Sequence, residues 1–464
     1  MDVPVAILKE RIEELKMKNL SKLVLVTFSL MMLFSLNVSA QEATAEKRTL
    51  IKNVSIFNGN SGELITGRDV VVEGNRIKSN VSSGGDESTF DEVIDGKGGY
   101  LSPGLIDSHS HAVMGGDENT FVNGDQNYVQ LFAAMEMEEM LLRGVTTIRD
   151  AGGNTFGLKK AIDDGITDGP RIYPSGALIT QYAGHMDFRS AVHTSLPKEW
   201  GGPVSMPEKN GHAMLANGPD QMTIAVRQQL FLGATQIKLA VGGGVSSFQD
   251  PLYVNEFTTA EIEAAVAAAA DYGTYVMTHV FNEVGVKRAI EAGVKSIEHG
   301  HLMNEEDAKL MAEKGVILST QCQVFEQLKP VYTDPVRKGK LEEAMTGMDN
   351  MFEFAKKYNI KVAYGTDLLF SREGRKEQLK DLTLRKKWYT SPEIMIQATG
   401  TGGEVVGLCG ERNPYGKVGV IEEGAMADIL IYSKNPLEDV TIVEDYENNL
   451  KLIIKDGKTY KNTL

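Results

Sequence analysis

The feature that most restricts how this chain can fold is a repeated change of period between residues 103 and 409. Apolar runs of strand length alternate there with longer stretches of helical spacing. The runs read GYLSPGLIDSHSH, VTTIRDAG, RIYPSG, TQIKLAVGGG, TYVMTHV, KSIEHG, VILSTQ and KVAYGTD. The stretches between them carry helix punctuation. Thr258 and Glu261 make a capping box ahead of an Ala-rich run that Gly273 ends, and Gly293 and Gly315 end the segments before them in the same way. Eight strand candidates separated by helices predict an α/β fold of the (β/α)₈ TIM-barrel type. An open doubly wound sheet is the competing architecture, but no GxGxxG opens a helix after the first strand. Gly242-Gly243-Gly244 follows a strand yet lacks the Lys-Ser/Thr of a phosphate loop.

The flanks have another texture. RTLIKNVSIF and RDVVVEGNRI near the start, and ADILIYS and LKLIIKDGKTYK at the end, read as short strands with hairpin signals at Gly74-Asn75 and Asp456-Gly457. Residues 41–102 and 410–464 are therefore expected to build one small β-sandwich from both termini, with the barrel spanning 103–409. A chain of 464 residues that is 42% hydrophobic and 24% charged, with 47 Gly, can supply such a core and its turns.

Residues 1–40 stand apart. From Met17 the chain is basic, then apolar for the 14 residues Leu23–Leu36, and then offers Val38-Ser39-Ala40 as a cleavage pattern. The apolar run is short for a membrane span, so a signal peptide is expected, with translation starting at Met17, cleavage near Ala40 and a periplasmic or secreted product. An N-terminal membrane anchor is the alternative. The net charge of -15 argues against nucleic acid and anionic lipid as partners and leaves small molecules or dipeptides, with homo-oligomerisation open. Cys322 and Cys409, far apart, form neither a disulfide framework nor a cysteine zinc site.

The chemistry is carried by where the eight histidines fall. His109 and His111 close the first strand candidate, and residues two apart on a strand project to one face, where both imidazoles can meet one metal. His279 closes the fifth, His299 the sixth and Asp367 the eighth, while Lys238 sits at the end of the fourth. Barrel enzymes carry their sites at this end of the strands. Singly, each has an ordinary explanation: a hydrogen-bonded core histidine, an outward-reaching lysine, an aspartate that caps a turn. Together, imidazoles and carboxylates converging in one mouth would desolvate and repel one another without a cation.

Pro103-Gly104-Leu105-Ile106-Asp107-Ser108-His109-Ser110-His111 resembles the signature of the amidohydrolase superfamily, and the likeness extends to Gly424–Ile431. The resemblance implies two divalent metal ions. His109 and His111 would hold the more buried ion, His279 and His299 the second, with Asp367 as a ligand and proton shuttle and Lys238, carboxylated by CO₂, bridging both. Zn²⁺ is the default, with Mn²⁺, Fe²⁺ and Co²⁺ also compatible. Within the superfamily the chain looks most like the secreted imidazolonepropionase-like and Xaa-Pro-dipeptidase-like members. Imidazolonepropionases lack the bridging lysine, so Lys238 favours the binuclear, peptidase-like branch. His185, in AlaGlyHisMetAsp, matches a substrate-facing histidine after strand three, with a turn-capping histidine as the ordinary reading. Prolidase-like relatives often place a tyrosine shortly after strand four. Phe257 stands there, and Tyr253, four residues earlier, is the other candidate for substrate contact. His301 could support His299, whereas His193 and His212 read as surface or loop residues.

The implied reaction is hydrolysis of an amide or peptide C–N bond by a hydroxide that bridges the metals, in a dipeptidase or N-acyl amino acid hydrolase. Carbamate or cyclic-amide hydrolysis, or deamination, are alternatives on the same barrel, and a non-catalytic periplasmic binding protein is the alternative from another class.

Overall fold

The computed structural model describes residues 9–11, 13–17, 46–189 and 196–464. The apolar run and cleavage pattern read as a signal peptide, and His193, lie outside the described residues. Two units partition the chain, residues 1–47 and 48–464; in the first, residues 9–11 and 13–17 are helical.

The second unit opens with β1 (Arg48–Phe57), β2 (Leu64–Ile65), β3 (Arg68–Glu73), β4 (Arg76–Ser82) and β5 (Glu92–Pro103). β6 (Leu105–Ser110), β7 (Val145–Asp150), β8 (Arg171–Pro174), β9 (Leu178–Thr180), β10 (Ala213–Leu215), β11 (Ile237–Ala240), β12 (Val276–Asn282), β13 (Ser296–Leu302), β14 (Ile317–Thr320) and β15 (Val362–Tyr364) follow. β16 (Ile429–Tyr432), β17 (Leu450–Lys455) and β18 (Lys458–Asn462) end the chain.

The terminal strands share one eight-stranded mixed sheet, ordered β18-β17-β16-β5-β1-β3-β4 with β2 on β1. Its inward residues, among them Ile51, Val70, Ile77, Leu101, Ile429 and Ile454, meet in a single apolar cluster. Because β4 and β17 lie far apart in strand order yet share that cluster, the sheet curls back on itself. The two hairpin turns read from sequence meet at the seam, where Asn75 Nδ2 donates to Asp456 Oδ1 at 3.0 Å. Both terminal segments thus build one β unit, formed from a single curled sheet rather than two separate ones.

The eight strand candidates of the middle region are all strands, running in parallel in two hydrogen-bonded groups. The third candidate is divided. β8 pairs with β7, and after Pro174 and Gly176, at φ 71°, the chain resumes as β9 beside β11. Ser175 N–H still bonds the Asp150 carbonyl at 3.2 Å, and the left-handed backbone at Gly176 then turns the chain away from β7. The ring closes between β6 and the end of β15. Thr366 and Asp367 N–H groups both donate to the His109 carbonyl, and Asp107 accepts from Thr366 N–H at 3.0 Å and Oγ1 at 2.6 Å. Outer helices include Gln126–Leu142, Pro219–Leu232, Thr259–Ala270, Glu283–Glu291, Glu305–Lys314 and Pro335–Lys357. The Thr258–Glu261 capping box is formed, and Gly315 ends its helix left-handed. This architecture is an (β/α)₈ barrel with a small β unit assembled from its two flanks.

Candidate metal centre

His109 and His111 come from the end of β6, where the strand shifts register between Asp107 and Ser110, and both rings turn toward Asp367. Asp107 is buried and braces β6 against the turn after β15, also accepting from Gln378 Nε2 at 2.8 Å. Burial pushes its carboxyl above the usual range against the pull of these bonds.

His109 and His111 each spend one ring nitrogen on an acceptor. His109 Nδ1 lies 2.8 Å from Glu298 Oε2, and His111 Nδ1 lies 3.0 Å from the Gly152 carbonyl. Their Nε2 atoms approach Asp367 Oδ1, at 3.4 and 3.1 Å. One ligand atom from each of His109, His111 and Asp367 falls within 4.8 Å of the others. Burial alone would raise Asp367, but the two imidazoles outweigh it and hold the carboxyl well below its ordinary value.

The remaining rings continue this cluster. His109 and His299 have centroids 5.1 Å apart, His299 and His279 4.4 Å, and His279 stacks on His185 at 4.1 Å. His299 Nδ1 meets Gln321 Oε1 at 2.8 Å, leaving Nε2 buried and without a partner. His279 Nε2 meets the Gly243 carbonyl at 3.2 Å, which leaves Nδ1 as its lone-pair nitrogen. Burial drives both His279 and His299 well below their ordinary pKa, so both are neutral. His279 and His299, each fixed in its tautomer by an acceptor, thus present lone pairs beside an ionised carboxylate that the Nε2 atoms of His109 and His111 also face. This donor set fits divalent metal, and the orphaned His299 Nε2 is the observation that tests the fit. Lys238 is buried among the same groups. Burial brings its amine down to about 8, with Glu298 and Asp367 opposing.

Two of the candidate ligands stand on unusual backbone. His299 has φ 74° and Asp367 φ 51°, in the left-handed region that non-glycine residues seldom enter. At His299 the consequence is visible. Ile297 packs into the apolar core shared with the helices, whereas Ser296 and Glu298 face inward to Arg149. Strict alternation would send His299 outward beside Ile297. The left-handed turn brings it inward next to Glu298.

Several partners of the site carry no sequence signal of their own. Glu298 is fully buried, takes two bonds from Arg149 Nη2 at 2.7 and 2.9 Å and holds His109. Burial would raise it, but Arg149 and His109 prevail and keep it ionised. His185 is held twice by the loop after β11. Its Nδ1 lies 2.9 Å from Asp250 Oδ2, and its N–H donates to Glu256 Oε1 at 2.6 Å. Burial raises Glu256 to about 8. The glycine run now has a local purpose, since a Cβ on Gly244 would stand 1.9 Å from His185 Cε1.

The two candidates for substrate contact are not brought into this group. Phe257, at φ 61°, turns its ring into the apolar core between barrel and helices, 2% exposed. Tyr253 is 75% exposed on the outside of the same loop. His301 is buried beside His299, with Nε2 3.3 Å from the Gln321 carbonyl. His212, read as a surface or loop residue, lies in the loop before β10 but not at the surface. It is fully buried, accepting from Asn154 N–H at 3.1 Å and reaching Gln126 Oε1 at 2.9 Å.

With this geometry in place, comparison with known proteins is informative. Residues 100–395 match the model of the amidohydrolase family. Among curated proteins, ochratoxinase of Aspergillus niger is 30% identical over 381 residues, covering 78% of this chain and 75% of its own. A prolidase solved with N-methylphosphonate-L-proline is 29% identical, with TM-score 0.82 over 90% of this chain and 100% of its own. A Xaa-Pro dipeptidase solved with methionine in its active site is 27% identical, with TM-score 0.76 over 90% and 100% of the two chains.

Proposed function

The chain belongs to the amidohydrolase family, and from that premise we propose that it is a metal-dependent hydrolase of C–N bonds, cleaving dipeptides or N-acyl amino acids. The observation that carries this reading is the convergence of His109, His111 and Asp367, with ligand atoms within 4.8 Å, joined by lone pairs from His279 and His299. His109, His111 and Asp367 would hold one divalent ion, and His279 and His299 a second. Lys238, carboxylated by CO₂, would join the two ions, for which Zn²⁺ is the first candidate. A lowered amine pKa supports carboxylation, because only the neutral amine attacks CO₂. When bound, such ions lower the pKa of water toward ~7 and polarise a carbonyl.

The chain's own residues supply the rest. Asp367, kept ionised, takes a proton from the attacking water and returns it to the departing amine. Asp250 holds the His185 ring by Nδ1 and leaves its Nε2 edge to meet the acyl oxygen as charge develops there. Glu298 and Gln321 keep His109 and His299 in the tautomers that leave their lone pairs inward. Relatives named for ochratoxin and for Xaa-Pro dipeptides suggest an amide whose leaving group is an amino acid. The N-terminal apolar segment, read as an export signal, supports a periplasmic or secreted location.

The test is a panel of dipeptides, N-acyl amino acids, carbamates and cyclic amides, scored for amine and ammonia release. Release of an amino acid should vanish on chelator dialysis, return with Zn²⁺, and fall by about 10²–10⁴-fold in Asp367→Asn. Chelator-insensitive turnover, or no cleavage across the panel, refutes the reading. Ammonia as the product would select the deaminase alternative.

A further inference from the structure

A lysine remote in sequence governs the loop that holds His185. Lys340 lies on helix Pro335–Lys357 with only 7% of its surface exposed. Its Nζ donates to three main-chain carbonyls, those of Gly244 at 2.5 Å, Ser247 at 2.6 Å and Asp250 at 3.2 Å. An ammonium has three N–H donors, so these bonds use its full capacity. All three acceptors belong to the segment between β11 and helix Thr259–Ala270.

That segment has little structure of its own. It carries no helix or named strand, only an isolated bridge between Gly242 and Asn255 and a few main-chain bonds such as Gly243 N–H to the Val254 carbonyl, and it begins with three consecutive glycines, the most freely rotating residues. Yet it must aim two groups accurately. Asp250 Oδ2 takes both His185 Nδ1 at 2.9 Å and Gly244 N–H at 2.7 Å, and the Gly243 carbonyl orients His279. Asn282 Nδ2 holds the far end of the segment at the Leu252 and Val254 carbonyls, and Lys340 holds the part that carries Gly244, Ser247 and Asp250.

We propose that Lys340 is a positioning residue of the catalytic site, its ammonium gathering the carbonyls of residues 244, 247 and 250 so that Asp250 holds His185 toward the acyl oxygen. The proposal rests on the reading that His185 meets the substrate. A purely structural anchor would affect melting temperature and leave turnover and the His185–Asp250 bond alone.

Two variants and two readouts separate these roles. Lys340→Met keeps most of the side-chain volume and removes the charge. In a background carrying Cys322→Ala and Cys409→Ala, Lys340→Cys can be aminoethylated in the unfolded chain and refolded, which rebuilds a primary ammonium at nearly the same reach without modifying the buried native thiols. Metal-loaded wild type is assayed first against the best substrate of the panel. Lys340→Met should lose about 10–100-fold in kcat, with KM within about threefold and metal content unchanged. The Lys340→Cys variant should regain turnover on aminoethylation. By proton NMR, the downfield imidazole N–H resonance that His185→Gln removes should be present in wild type and broadened away in Lys340→Met. Unchanged kcat, a loss of kcat that follows loss of metal, or failure of aminoethylation to restore it overturns the proposal, as does a persisting His185 resonance. Should wild type cleave nothing, the proposed function fails, while the resonance still tests Lys340.

Discussion

Replacing Gly244 by alanine isolates the placement of His185 from every other property of the site. The backbone at Gly244 is not among the left-handed positions, so an L side chain meets no conformational penalty there. The obstacle is purely steric. An added Cβ would lie 1.9 Å from His185 Cε1, 2.2 Å from Nδ1 and 2.7 Å from Nε2. To reach an ordinary contact near 3.4 Å the ring has to withdraw by about 1.5 Å. It cannot slide straight back, because it is stacked on His279 at 4.1 Å with an interplanar angle of 16°. It must rotate, and in doing so gives up its bond to Asp250. A misplacement of about 1 Å in a positioned group costs on the order of 10²-fold in rate, or roughly 2.7 kcal/mol of barrier. Folding stability should change less. The lost charge-assisted bond, about 1.5–3 kcal/mol, is partly offset by about 0.4–1 kcal/mol from stiffening the unfolded chain. Steady-state amine release by metal-loaded Gly244→Ala, with bound metal measured on the same sample, is the assay. A kcat within about threefold of wild type, at normal metal content, would refute the claim that this missing side chain keeps His185 in place.

Three further outcomes follow from the same geometry. Lys238→Ala should lose bound metal as well as turnover, and normal stoichiometry by elemental analysis would remove Lys238 from the metal-bridging role. Glu298→Gln leaves Arg149 buried with no counter-charge, so denaturant unfolding should show a loss of about 3–5 kcal/mol. A loss under about 1 kcal/mol would mean the pair does not hold the barrel interior. His212 is neutral in the fold because burial pulls its pKa from 6.5 to about 4, and its Nδ1 already accepts from Asn154. A folded pKa below the unfolded one gives a contribution complete above pH 6.5 and lost as pH falls toward 4, of about 3 kcal/mol. His212→Gln should lack that acid limb in urea titrations at pH 7, 5.5 and 4, and identical pH slopes in both proteins would contradict it.

How much of this could be read from the chain depends on where the backbone keeps to the rules of a strand. His109 and His111 are legible as a His-x-His pair at a strand end, where period two puts both on one face, although the register shift of β6 between Asp107 and Ser110 leaves no trace in that period. Helix ends were legible because Thr258, Glu261 and Gly315 act through their own backbone neighbours. Ile297, Glu298 and His299 show the limit. Alternation makes His299 and Glu298 opposites, yet a positive φ at His299 turns both inward, and the strand-end position alone pointed to the histidine. Phe257 fails for the same reason, since its left-handed backbone sends the ring into the core where a site residue had been expected. The third strand divides at Pro174, which the period of the segment does not reveal. The partners that set tautomers and charge are separated from their targets by 149 residues for Arg149 and Glu298 and 189 for His109 and Glu298. Such pairings leave no local pattern, because the fold creates them. Candidate ligands can be named from strand ends, whereas the tautomers that would let them bind a metal are set by residues the closed barrel brings near. A chain with the same six strand-end residues but without Glu298, Arg149 and Gln321 would carry the pattern and lose the tautomer control on which a metal centre depends.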